Sequence, residues 1–359
     1  MGCFPIKTVL VTGGAGFIGS CFVRQLIGDG GYRVVNLDKL TYAGDLASLG
    51  EALEHPRHEF VRGDVCDAEL CARLLAKQRP QAVVHLAAES HVDRSIDSPA
   101  DFVRTNVQGT YTLLEAVREY WAALGEAERE TFRYIQVSTD EVYGSLGSTG
   151  QFTESSPYRP NSPYAATKAA ADHLVRAYHH TYGLPTIVTN CSNNFGPYQF
   201  PEKMIPLMIL NALDGRRLPI YGDGNNVRDW LFVEDHCDAL RLVCERGKVG
   251  TSYNVGGHGE RTNIEMVTAI CDLVDRFAPG LAHSPCRSLI DFVADRPGHD
   301  RRYAIDPKKC ATELGWRPQL DLSTRLEQTV RWYIDHREWA DRITSGVYER
   351  DRLGLVESR

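Results

Sequence analysis

Several things are missing from this chain, and each absence excludes a class of protein. Its ten cysteines are scattered. None forms a C-x-x-C, and pairs such as Cys66 and Cys71, or Cys237 and Cys244, lack the clustered spacing of zinc sites. They read as reduced thiols, and no metal is expected. No block of lysine or arginine occurs, since Arg216-Arg217 and Arg301-Arg302 are too short for a polyanion-binding tail. With 40 basic against 47 acidic residues the net charge is −7, which argues against a nucleic-acid partner. The longest apolar run, Met204 to Leu210, is broken by Pro206 and is far too short to span a bilayer. The residues around Lys7 lack the apolar core of a signal peptide. A cytoplasmic protein with no membrane partner is expected. Internal repeats and low-complexity linkers are absent too.

What is present is an ordinary globular composition, 43% hydrophobic and 24% charged, over 359 residues. That length suits one large domain with an appendage, or two domains. Short apolar strands alternate with helical stretches: strands at Thr8 to Val11, Arg33 to Leu37, Glu59 to Arg62, Gln81 to Leu86 and Phe132 to Val137, then Thr186 to Cys191. Long helices are expected from about Ala100 to Leu124 and from Tyr164 to Tyr182, and a shorter one from about Glu202 to Leu213. Parallel strands need crossover helices, so the alternation predicts an α/β fold, a Rossmann-type doubly wound parallel sheet. After Cys191 the pattern loosens into turn-rich segments, read as a smaller C-terminal substrate-binding lobe packed on the sheet. The expected division is a dinucleotide-binding domain over 1–192, a lobe mainly over 193–340 with some segments returning, and a polar tail over 341–359.

The first strand runs into Thr12-Gly13-Gly14-Ala15-Gly16-Phe17-Ile18-Gly19 and then a helix. Glycines there permit a tight turn, a close pyrophosphate and close helix packing, while the helix N-terminus offers free N–H groups. Asp38, nineteen residues after Gly19 at a strand end, can accept from both ribose hydroxyls and disfavours a 2′-phosphate. NAD is the expected cofactor, although Lys39 stands beside Asp38.

The fifth strand delivers Ser138-Thr139-Asp140-Glu141 at its carboxyl end, where open α/β sheets bind ligands. Tyr164 and Lys168 are i and i+4 on the helix that follows, side by side. An ammonium beside a tyrosine stabilises the phenolate and lowers its pKa from about 10, so the pair can take a proton from a substrate hydroxyl. Loss of a hydride from the same carbon to a nicotinamide then makes a ketone, with the Thr139 hydroxyl placed to share the substrate oxygen.

With Thr12 to Gly19, Ser138 to Gly144 and Tyr164 to Lys168 together, the chain resembles the extended short-chain dehydrogenase/reductase family, and within it the nucleotide-sugar 4,6-dehydratases. The likeness extends from Lys7 to about Trp332. Ala88 to Ser95, Thr139 to Gly144, Asn193 to Lys203 and Asp295 to Asp300 all match the dehydratase pattern. Adjacent Asp140 and Glu141 suit loss of water, which takes one group to accept a carbon-bound proton and another to protonate the leaving hydroxyl. Sequence alone gives only the pair; the resemblance makes Glu141 the base and Asp140 the acid. It implies a dTDP-linked glucose as substrate, with Thr139, Asp140, Glu141, Tyr164 and Lys168 catalytic.

For the cofactor it implies Gly13, Gly16, Phe17, Ile18, Gly19, Asp38, Lys39, Thr41, Asp64, Val65, Ala87, Ala88, Thr105, Tyr164, Lys168 and Asn194. For the nucleotide sugar it implies Ser90, Thr139, Asn193, Lys203, Tyr221, Arg228, Asn263, Arg296 and His299, the two arginines suiting a diphosphate. A homodimer through the helices at about Ala100 to Leu124 and Ser162 to Tyr182 is implied as well. His91 and Asp93 read as structural. Ala165 and Phe195 stand where the family often has Ser and Tyr, and neither change removes a catalytic group. An NAD-dependent nucleotide-sugar epimerase, decarboxylase or UDP-sugar dehydratase of the same fold, or a non-catalytic nucleotide-sensing Rossmann protein, are the alternatives.

Overall fold

The computed structural model describes residues 8–345 together with Tyr348, Arg350 and Leu353, and the rest of the expected polar tail lies outside the described residues. Six strands, β1 (Thr8–Thr12), β2 (Arg33–Asp38), β3 (His58–Arg62), β4 (Ala82–His85), β5 (Arg133–Thr139) and β6 (Thr186–Cys191), form the central sheet with a seventh, Ser252–Val255. All pairings are parallel, in the order Ser252–Val255, β6, β5, β4, β1, β2, β3. Chain order reverses at β1, which lies between β2 and β4. That is the switch point where a crevice opens beyond the strand ends. The seventh strand had no counterpart in the sequence reading, because four residues between turns carry little periodic signal.

Parallel strands covered on both faces are apolar along their whole length, and their side chains alternate between two cores. In β1, Val9 and Val11 join Phe22 and Leu26 of the helix Phe17–Gly28 and Leu240 and Val243 of Val233–Arg246. Leu10 faces the other way, onto Leu74 of Ala68–Gln78, Leu113 and Val117 of Thr110–Ala122, and Val175 of Pro163–Tyr182. A separate core fills the lobe, with Ile209 from Met204–Leu213, Ile270 from Asn263–Phe277 and Tyr333 from Leu322–Asp335. Tyr253, Cys310 and Trp316, although late in the chain, pack on the sheet side.

One expectation needs correction. The stretch from Ala100 to Leu124 is not one α-helix: Pro99–Phe102 passes through a π-helical turn, Val103–Gly109, before Thr110–Ala122. The wide turn places the buried Asn106 so that its Oδ1 accepts from the Glu89 amide while its Nδ2 donates to the Glu89 carbonyl and to Thr167 Oγ1. It thereby braces the loop after β4. Residues 341–344, at the start of the expected polar tail, belong to the helix Arg337–Thr344, whose Ala340 is buried. Among the described residues no helix is long and apolar enough to cross a membrane.

The turn after β1 depends on contacts that no side chain can enter. A Cβ on Gly19 would overlap the Gly13 carbonyl oxygen, whereas one on Gly28, at the end of the same helix, would meet nothing within 4 Å. Gly19→Ala should therefore lower stability by about 2 kcal/mol or more. Gly28→Ala should leave stability unchanged or raise it by up to ~1 kcal/mol. Thermal unfolding of the two variants beside the parent checks the contrast.

Candidate active site

A cavity of about 460 Å³ runs from the turn after β1, past the ends of β4 and β5, into the lobe. Every residue expected at cofactor or substrate lines it, and so does every expected catalytic residue except Asp140. The cofactor side is shaped by close backbone approach. Gly13 has φ +74°, and a Cβ there would lie 2.6 Å from the Ala87 nitrogen. Gly14 answers to a different neighbour, the Asn36 side chain on β2. Gly16 caps the helix Phe17–Gly28 without a side-chain hydrogen bond, leaving first-turn N–H groups for an anion.

Asp38 ends β2 with its Oδ2 accepting from the Ala15 amide at 2.9 Å and its Oδ1 from the Leu40 amide at 2.8 Å. Each oxygen keeps lone-pair capacity for a ribose hydroxyl. Lys39 Nζ is 2.9 Å from Asp64 Oδ2, so its charge is paired. The residues fit an adenine dinucleotide with a bare ribose.

The helix that carries Tyr164 begins where its sequence says it should. Ser162 accepts from the Ala165 amide as N-cap, Pro163 occupies the first turn, and Gly183 closes the other end in the left-handed region. Tyr164 and Lys168 are both buried and line the cavity. Lys168 Nζ donates to the Val137 carbonyl at 2.8 Å, which anchors the ammonium to β5. The expected fall in the tyrosine pKa does not occur in the protein alone. Burial, with Glu141 and Cys191 nearby, holds Tyr164 well above its ordinary value, and the hydrogen bond with Thr139 pulls only weakly the other way. Burial also lowers Lys168, with Asp172 opposing. Desolvation outweighs the single ammonium at this site.

At the end of β5, Thr139 caps the short helical turn Asp140–Tyr143 by accepting from the Glu141 amide. Asp140 is 1% exposed and sits behind the cavity wall. Its Oδ1 accepts a long hydrogen bond from Thr139 Oγ1, 3.4 Å, and its Oδ2 has no partner among the described residues. Burial, then the charges of Glu141 and Asp229, push its carboxyl well above the usual range. Glu141 is raised by burial too, but Arg296, Arg228 and Lys203 pull it back. Anions thus dominate around Asp140, with Arg228 opposing them, and cations around Glu141, with Asp300 opposing.

The lobe contributes those cations. Arg228, 5% exposed, donates to the Asp300 carbonyl at 2.9 Å and lies over the Tyr303 ring. Lys203 Nζ donates to the Ser90 carbonyl at 2.8 Å, joining two expected substrate residues. His299 pairs with Asp295 at 2.6 Å, yet burial keeps its imidazole down at about 4. Asn193 Oδ1 is buried without a partner among the described residues. Asp93, read from sequence as structural, lines the cavity and holds Arg296 and Tyr221. Glu89 and Glu202, which lie inside the matched segments Ala88 to Ser95 and Asn193 to Lys203 but were given no role there, line it as well.

Comparison with known proteins matches residues 10–329 to the family model described as GDP-mannose 4,6 dehydratase. A dTDP-glucose 4,6-dehydratase of Xanthomonas campestris pv. campestris is 57% identical, over 98% of this chain and all of that one. The solved structure of the dTDP-glucose 4,6-dehydratase DesIV of Streptomyces venezuelae, with NAD and TYD bound, is 48% identical with a TM-score of 0.86, covering 94% of this chain and 100% of that one. That of the Bacillus anthracis dTDP-glucose 4,6-dehydratase in complex with NAD is 46% identical with a TM-score of 0.83, covering 94% and 99%.

The buried Asp140 makes a pH-dependent prediction. A carboxyl whose pKa is higher in the folded than in the unfolded chain contributes stability at low pH and loses it as pH rises from the ordinary carboxylate range toward the raised value. Asp140→Asn, which cannot ionise, should gain stability relative to the parent between about pH 5 and about pH 8, by ~1 kcal/mol or more, in urea titrations. An equal difference at both pH values would show that Asp140 ionises as freely folded as unfolded.

Proposed function

The chain belongs to the GDP-mannose 4,6 dehydratase family, and from that premise we propose that its cavity converts dTDP-glucose to dTDP-4-keto-6-deoxyglucose and water with NAD as cofactor. The observation that carries this reading is a single cavity lined by Asp38, Tyr164, Lys168 and Glu141, with Asp140 adjoining it. A simple dehydrogenase needs only the first three.

NAD, held by the glycine turn and Asp38, would supply hydride acceptance at carbon 4 of the glucose and hydride return at carbon 6, together with the positive charge of its ring. Tyr164, protonated in the protein alone, takes the carbon 4 hydroxyl proton as a phenolate favoured by Lys168 and that added positive charge, with Thr139 sharing the oxygen. A ketone at carbon 4 makes the carbon 5 hydrogen acidic. Glu141 removes it as a carboxylate, and the surrounding Arg296, Arg228 and Lys203 support that form. Asp140, kept protonated by burial and neighbouring anions, gives its proton to the carbon 6 hydroxyl, which leaves as water. Arg228 and Arg296 serve the diphosphate, and Ser90, Asn193, Lys203, Tyr221, Asn263 and His299 complete the nucleotide-sugar site.

The separate lobe core supports a division near residue 192 between a dinucleotide-binding domain and a mainly C-terminal lobe. Nine described cysteines without a disulfide support a cytoplasmic setting. A homodimer is supported by Val103 (53% exposed), Tyr111 (49%) and Tyr182 (49%), large apolar side chains carried by the two neighbouring helical stretches. Val103→Arg with Tyr111→Arg should turn a dimer into monomer in sedimentation at micromolar concentration, with the fold retained.

Isotope labelling tests the chemistry. Deuterium placed at carbon 4 of dTDP-glucose should reappear at carbon 6, solvent deuterium should enter at carbon 5, and no net NADH should form. Label returning to carbon 4 would identify an epimerase, and NADH in proportion to product a dehydrogenase. Asp140→Asn should still reduce NAD but lose water ~100-fold more slowly or worse, whereas Tyr164→Phe should block the reduction itself.

A further inference from the structure

Asp93 is a buried acid that the proposed chemistry leaves without a role. It lies in the short helix Val92–Asp97 after β4, is 4% exposed, and belongs to the cavity wall. Both of its oxygens are engaged by lobe residues distant in sequence. Oδ1 accepts from Arg296 Nη1 at 2.8 Å, and Oδ2 accepts from the Tyr221 hydroxyl at 2.9 Å. For Arg296 this is the sole ion pair among the described residues, and its Nε is buried with no partner among them.

A guanidinium on a long side chain must be held if it is to meet a diphosphate in one geometry, and a single carboxylate can set that geometry. Tyr221, on the lobe strand Leu218–Tyr221, donates to the same carboxylate on the sheet side. We propose that Asp93 is a positioning residue for the nucleotide diphosphate end of the substrate, fixing Arg296 and Tyr221 against the sheet before substrate arrives. The inference rests on the dehydratase reading and deepens it. Its consequence is specific: loss of the Asp93 charge weakens substrate capture, while the groups that move protons stay where they are. Arg296 keeps its charge near Glu141 even when its anchor is gone, so the chemical step is largely preserved.

A double-mutant cycle on the NAD-loaded enzyme tests this, with dTDP-glucose as substrate and Asp93→Asn, Arg296→Gln and the double variant compared with the parent. Asp93→Asn should raise KM ~10-fold or more with kcat within about threefold. In the Arg296→Gln background the same change should raise KM by a clearly smaller factor than in the parent, because one of the two groups it acts through is already removed and only the Tyr221 contact remains. Independent effects that multiply in the double variant, or a fall in kcat at unchanged KM, would overturn the proposal. Should Asp93→Asn not fold, Asp93→Glu takes its place in the cycle under the same criteria, its longer stem displacing both donors. The two readings fail differently. A parent enzyme that forms no 4-keto-6-deoxy product refutes the dehydratase reading, whereas a productive parent with an additive cycle refutes only the role of Asp93.

Discussion

Removal of water from the carboxyl end of β5 is the constraint on which the rest of this structure depends. Out of water, neighbouring ionisable groups cannot all adopt the charge they would have in solution, and each is set by what surrounds it. Anions outweigh Arg228 around Asp140, three cations outweigh Asp300 around Glu141, and Glu141 with burial holds Tyr164 up. Their charge states are thereby distinguished by environment rather than by residue type. The same desolvation makes a bound cofactor's charge count for more than it would in solvent.

Keeping that end dry requires the lobe to close on the sheet, and the seam between them is held by polar contacts of high sequence separation. Asp93 reaches Arg296 and Tyr221, Lys203 reaches Ser90, Arg94 pairs with Glu202, and Asn161, one residue before the cap of the Tyr164 helix, donates to Asp300. Gly298 lies against the Asn161 carbonyl, with φ +65°, so close that a Cβ would stand 2.9 Å from it. These contacts bring the cations of the lobe to the carboxylates of the sheet. The proposed substrate binding and proton transfer would therefore draw on one set of charges.

The fold was legible because its parts are local. Apolar strands with glycines and acids at their carboxyl ends, the Ser162-Pro163 helix start, and the spacing from Gly19 to Asp38 each carry their meaning in a short window. The strand Ser252–Val255 was missed because its place is set by pairing with β6 rather than by its own four residues. The π-helical turn at Val103–Gly109 was missed because it answers to Asn106 and its distant partners.

For the site, the sequence by itself determined which chemical groups are available: the glycine turn, Asp38, the Tyr164 and Lys168 pair, and the adjoining Asp140 and Glu141. Tertiary structure alone decided their charge states and neighbours. A pKa depends on burial and on charges brought from elsewhere in the chain, so the expected lowering of Tyr164 became a rise, and Asp140 withdrew behind the cavity wall. Asp93 went from a structural acid to the anchor of two lobe residues for the same reason. No window of sequence contains Asp93, Tyr221 and Arg296 together, and only folding makes them neighbours.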